Sequence, residues 1–150
     1  MSNFLKVLRD LALLIARVAL GGVLVLHAWR RWQVEGIEAQ IAYLGAHGVP
    51  WTSYVAWAAI IGEGIGGILL IVGLLTPIVA AGVLVEQVLI ICWTSWYQGP
   101  YVADRGWEYQ VIIGVLALLF VVYGAGRASI DSLFRRSNRA DSNADDHSPA

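Results

Sequence analysis

Two apolar stretches, residues 54–75 and 77–97, meet at Leu75-Thr76-Pro77, and each carries a glutamate near its middle, Glu63 and Glu86. Proline lacks an amide hydrogen and disfavours helix at the residue before it, yet fits the first turn of a new helix. The chain is therefore expected to turn there between two helices. At 1.5 Å of rise per residue, stretches of about 20 residues reach across a hydrocarbon core of roughly 30 Å. Two membrane-spanning helices folded back on each other, each with a charge in its apolar interior, leave few folds open.

Composition points the same way. With 58% hydrophobic residues, 14% charged residues and seven Trp, and a mean hydropathy of +0.65, a 150-residue chain has too little polar surface for a small water-soluble globule. The expected fold class is all-α: an integral membrane four-helix bundle in one domain, with the lipid bilayer as its first partner. A net charge of -1 and scattered basic residues give no nucleic-acid signal. The single Cys92 forms neither an internal disulfide nor a dithiol relay, and is expected to be an inert buried thiol. Redox chemistry in such a chain needs a cofactor, a quinone or a partner.

In order, residues 1–10 are a short polar N-terminus with Lys6, Arg9 and Asp10. Spans are expected at about 11–29, 54–75, 77–97 and 108–124, the last being the shortest. Between the first two, Ile37, Ile41 and Leu44 fall at helical spacing opposite Glu35, Glu38 and Gln40, as in a short helix lying on the membrane surface in the first outer loop. Gly48-Val49-Pro50 ends it. Residues 98–107 read as a polar turn loop, and 132–150 as a charged, disordered tail. Lys6, Arg9, Arg127, Arg135, Arg136 and Arg139 lie on the side of the termini, against Arg30, Arg31 and Arg105 on the other. The positive-inside rule then places both termini in the cytoplasm.

Charges within spans cost at least ~2.5–3.5 kcal/mol at the bilayer centre, so the polar residues there carry whatever function exists. They are Arg17, His27, Glu63, Glu86, Glu108 and Gln110, the candidate ligand-binding set. Helical rise puts Arg17 ~9 Å and Glu86 ~14 Å from the inner ends, Glu63 ~18 Å, and His27 and Glu108 ~24 Å. Side chains lean toward the start of their own helix. An inner pair, Arg17 with Glu86, is expected, with Arg17–Glu63 open as an alternative because helices tilt. An outer cluster of His27, Glu63, Glu108 and Gln110 is expected near the outer face. The inner pair reads either as a packing-fixing ion pair or as a proton or anion site. In the outer cluster, His27, Glu63 and Glu108 are the catalytic candidates, since an imidazole beside two carboxyl groups can bind a polar ligand or exchange protons; a structural hydrogen-bond cluster is the other reading. Gly62 with Gly66, and Gly64, Gly67, Gly21, Gly22, Gly82 and Gly114, are expected to let helices approach closely.

The motifs together resemble the DoxX family of small four-span membrane proteins, over residues 11–131. The first span holds Arg17 and ends in His27-Ala28-Trp29-Arg30-Arg31, where the family pattern is His-Gly-x-x-Lys, so Ala28 and Arg31 depart from it. Gly48-Val49-Pro50 matches Gly-x-Pro, Glu63-Gly64-Ile65-Gly66-Gly67 matches Glu-x-x-Gly-Gly, and Gly73-Leu74-Leu75-Thr76 matches Gly-x-x-Thr. Glu108 opens the last span, and Gly124, Gly126, Ser129 and Asp131 match the closing Gly-x-Gly-x-x-Ser-x-Asp, with Ala125 where the family commonly has proline. Glu86 belongs to none of these motifs. The resemblance implies a membrane redox setting: a subunit of thiosulfate:quinone oxidoreductase or of a terminal quinol oxidase, or a complex with superoxide dismutase and a sulfurtransferase that answers oxidative and thiol stress.

The leading expectation is a small subunit or anchor of such a system in a bacterial inner membrane, with no tightly bound cofactor and no metal, and with a quinone or sulfur-compound pocket at the outer cluster. There His27 would hydrogen-bond a carbonyl oxygen and Glu63 or Glu108 would exchange a proton. A small-solute or proton transporter lined by the same residues is the second reading, and a structural membrane organiser without its own activity the third. An even number of spans and a glycine face permit a homodimer.

Overall fold

The computed structural model describes residues 2–126 and 129–130. The expected tail, and Asp131 with it, lies outside the described residues. Among those, every regular element is helical: α1 (Ser2–Trp29), α2 (Ile37–Ala46), α3 (Thr52–Val72), α4 (Thr76–Ile90) and α5 (Glu108–Tyr123). A π-helical turn, Arg30–Glu35, extends α1, and another, Ile91–Ser95, extends α4. Three stretches are long and apolar enough to cross a membrane: Phe4–Glu35, Thr52–Val72 and Thr76–Gln98. With 16 residues, α5 is shorter. The architecture is a helical membrane bundle.

Helix α1 starts well before residue 11 because nothing between Ser2 and Leu20 breaks it; neither glycine nor proline occurs there. At the same end of the bundle, α3 stops where Gly73 takes φ 75° and Leu74 N–H bonds back to Leu69 O at 3.0 Å, a turn that satisfies the last carbonyls. Leu75 follows at φ 53°, and Pro77 sits in the first turn of α4, as the sequence predicts. The surface helix is present as α2, with Leu44 buried against Val49 and Ala56.

Lipid tails are as apolar as leucine, so these helices are held by close packing rather than by escape from water. Helices α1 and α3 run antiparallel at the closest crossing, Gly21 against Gly67. A Cβ placed on Gly67 would lie 2.6 Å from Gly21 O and 2.8 Å from Val25 Cγ2. The core is built from Leu20, Leu24, Leu70, Val83, Ile113 and Phe120. The expected Gly62–Gly66 pairing is corrected here: a Cβ on Gly66 would meet Val79 at 3.2 Å, whereas Gly62, Gly22 and Gly82 have nothing within 4 Å. Cys92 is exposed, not buried, because it lies on the outward side of the α4 extension.

Candidate functional site

The buried face of each helix carries its polar residues in the same stripe as its apolar ones. On α1 and its extension, Arg17, Leu20, Leu24, Ala28 and Arg31 recur every three or four residues and point inward. Helix α3 does the same with Ala56, Ile60, Glu63, Gly67 and Leu70, and α4 with Ala80, Val83 and Gln87. Because α1 and α3 are antiparallel, this spacing brings Arg31 level with Glu63.

There the charged centre forms. Arg31 Nη1 lies 3.0 Å from Glu63 Oε2 and 3.8 Å from Glu86 Oε1. Glu63 is only 2% exposed, and the side chains of Arg31 and Glu86 are 19% and 20% exposed. One guanidinium thus serves two carboxyl groups from different helices. Beside them, His27 Nε2 is hydrogen-bonded to the Tyr109 hydroxyl at 3.0 Å, with the two rings stacked 5.2 Å apart. Gln110 Oε1 is buried and meets no hydrogen-bond partner among the described residues.

A cleft of about 1200 Å³ lies between α3 and α4 and reaches this centre. Its walls are mainly small or apolar, with Ala59, Gly62 and Gly66 on α3 and Val79, Val83 and Leu89 on α4; α2 contributes Gln40, Tyr43 and Leu44. Polar groups enter at the back, from Arg31, Glu86, Tyr109 and Gln110. Both π-helical turns line it too, through Arg30, Arg31, Glu35, Trp93, Thr94 and Ser95. Such turns inside long helices occur frequently at functional sites.

Against the sequence expectations, His27, Glu63 and Gln110 do come together. Two placements are corrected. The inner Arg17–Glu86 pair is not formed: Arg17 Nη1 donates to Ala125 O at 2.8 Å beside Gly73, tying the segment after α5 to the turn end of the bundle. The long side chain leans toward the start of α1, away from Glu86, which joins Arg31 instead. Nor does Glu108 enter the cluster. Its Oε1 accepts the Val102 N–H at 2.7 Å and closes the loop before α5.

Arg31, Tyr109 and Gln87 were not among the expected site residues. Arg31 reads as an interfacial charge when depth is measured by rise alone, but its place four residues after His27 puts it on the same inward face. Tyr109 and Gln87 lie next to Gln110 and Glu86, where helical spacing from Ile113 and Val83 marks the buried side. Among the described residues, no group of three or more His, Cys, Asp or Glu is placed to hold a metal ion.

The DoxX family model matches residues 12–96, more than half of the chain. The match runs from α1 through the π-helical extension of α4, so it contains Arg31, Glu63 and Glu86 and leaves out Tyr109 and Gln110. No curated protein and no solved structure matches the chain.

Proposed function

The chain belongs to the DoxX family, and from that premise we propose that it is a small membrane subunit of a redox system whose cleft takes the head group of a lipid-soluble quinone. The observation that carries this reading is the cleft between α3 and α4, apolar along its sides and charged at its back. Several of its wall residues, among them Gly62, Gly82, Val85, Leu89 and Trp93, are also exposed on the flank of the bundle. A molecule dissolved in the bilayer has a sideways route in, and its tail has apolar surface to lie against.

At the back, Arg31 is a donor for quinone carbonyl oxygens, as is the Tyr109 hydroxyl in the tautomer whose His27 Nε2–H donates to the Tyr109 oxygen, and Glu86 is the carboxyl group that faces the cleft. With one guanidinium for two carboxyl groups, the cluster is neutral when it also holds one proton, the arrangement expected where charge in the membrane is costly. Reduction of the quinone to quinol needs two electrons and two protons. The electrons come from a partner enzyme with its own redox centre, such as a quinone oxidoreductase subunit, and the protons pass one at a time through Glu86. In this reading the protein sits in a bacterial inner membrane with both termini in the cytoplasm. Drawing Arg31 into the bundle leaves fewer positive charges at the loop end, which strengthens the bias.

The test is fluorescence titration of the purified protein in lipid nanodiscs with a short-tailed ubiquinone analogue. Quinones quench nearby indoles, and Trp93 lines the cleft, so saturable quenching is expected that is largely lost in Trp93→Phe. A charge-assisted hydrogen bond contributes about 1.5–3 kcal/mol, so Arg31→Gln is expected to weaken binding by about tenfold or more. Unchanged affinity in folded Arg31→Gln and Tyr109→Phe overturns the reading.

A further inference from the structure

Behind the cleft lies a second, smaller cavity of about 60 Å³. His27, Arg31, Tyr109 and Gln110 line both spaces and form the wall between them. The wall sorts the two carboxyl groups: Glu86 faces the cleft, whereas Glu63 lines the inner cavity with the Gln87 amide, Leu24 and Ile113.

We propose that this inner cavity is a water-binding site that hydrates Glu63. A water needs at least about 10–15 Å³ of such space, so the cavity has room for a small number of them. It also offers the two to four polar partners that a bound water requires: the Glu63 carboxyl, the Gln87 and Gln110 amides and the Tyr109 hydroxyl. Gln110 Oε1 is a buried acceptor that no protein group satisfies among the described residues, and buried polar atoms of that kind are regularly met by ordered water. Glu63 adds the strongest reason. A carboxyl group that is 2% exposed, with one guanidinium contact and the Glu86 carboxyl beside it, still has lone pairs to satisfy. Waters there join Glu63 to the His27–Tyr109 pair in the wall and make the cavity a proton store behind the cleft. That use rests on the quinone reading; the water site itself does not.

X-ray hydroxyl-radical footprinting of the full chain in detergent, read by peptide mass spectrometry, tests it, because radicals form from water on the spot. Leu24 and Ile113, both buried and both on the inner cavity but not on the cleft, are expected to be labelled. Leu20 and Leu70, equally buried in the core but lining neither space, are expected to stay unlabelled. Gln110→Leu and Gln87→Leu are each expected to lower labelling at Leu24 and Ile113 several-fold, with silent Leu20 and Leu70 reporting an intact core. Leu24 and Ile113 as silent as Leu20 and Leu70 overturn the proposal, and so does labelling indifferent to both substitutions in a folded protein. Added ubiquinone analogue separates the two ideas: failure to protect Trp93 with Leu24 still labelled removes the quinone reading and upholds the water site.

Discussion

Arg30 and Arg31 are neighbours in one π-helical turn, yet their removal is expected to have very different costs. Arg30 Nε is 2.8 Å from Glu35 Oε1, but the two side chains are 71% and 41% exposed; pairs of this kind contribute about 0–1 kcal/mol. Arg31 pairs with a carboxyl group that is almost wholly buried. Removing one partner of a buried pair leaves the other charge uncompensated and costs about 3–5 kcal/mol. The gap between Arg31→Ala and Arg30→Ala should therefore be at least about 2 kcal/mol, roughly a thirtyfold change in the ratio of folded to unfolded protein. Reversible unfolding in mixed detergent micelles, followed by circular dichroism, measures it. Because the penalty is the stranded charge on Glu63, the double variant Arg31→Ala with Glu63→Gln should regain most of what Arg31→Ala loses, a non-additivity that a double-mutant cycle reads directly. Equal losses for the two arginines, or a double variant as unstable as the two single changes added together, would refute the reasoning.

The glycines divide in the same assay. Gly67→Ala, whose Cβ would meet a backbone oxygen at 2.6 Å, should cost about 1–3 kcal/mol. Gly82→Ala, with open space around it, should be neutral or stabilise the helix by up to about 1 kcal/mol. Glu108→Ala removes the acceptor of the Val102 N–H and should cost about 1 kcal/mol, with faster tryptic cleavage at exposed Arg105. Glu108→Gln keeps an acceptor there and should cleave as the parent does, and neither change should alter quinone-analogue binding. Arg17→Ala should raise amide hydrogen exchange at Gly124, Ala125 and Gly126, since Arg17 holds the Ala125 carbonyl, while leaving the cleft's affinity unchanged.

The helices and their turns were legible because they depend on local chemistry. Pro77 and Gly73 mark the reversal between α3 and α4, and the spacing of Ile37, Ile41 and Leu44 marks α2. The candidate site was half legible. Charged residues in apolar stretches announce themselves, so Glu63, Glu86, Arg17 and His27 are evident, but pairing them requires the register of one helix against another. Depth counted by rise treats every helix as upright and every side chain as a point. That count gave Arg17 the wrong partner, and Arg31, just past the expected end of the first span, was left out of it as a loop charge. Glu108 misled for another reason: a carboxyl group at the first turn of a helix looks the same in sequence whether it faces a site or closes a loop.

The two π-helical turns are the part for which the sequence has no local mark. Neither residues 30–35 nor residues 91–95 contain glycine or proline; 91–95 read as an ordinary continuation of α4, and 30–35 as the start of the loop after the first span. Each residue inserted into a helix rotates the downstream segment by about 100°, which redirects a side chain without ending the helix. Both distortions lie at the loop end of the bundle, and both line the cleft. On the α4 side the irregular turn is partly compensated by Thr94 Oγ1, which donates to Ile90 O at 2.8 Å. On the α1 side, Arg30 stays outside with Glu35 while Arg31 turns in to the two carboxyl groups. The departure from regular helix is concentrated where the buried charge is, as expected if the geometry of the site, rather than helix propensity, fixes the backbone there.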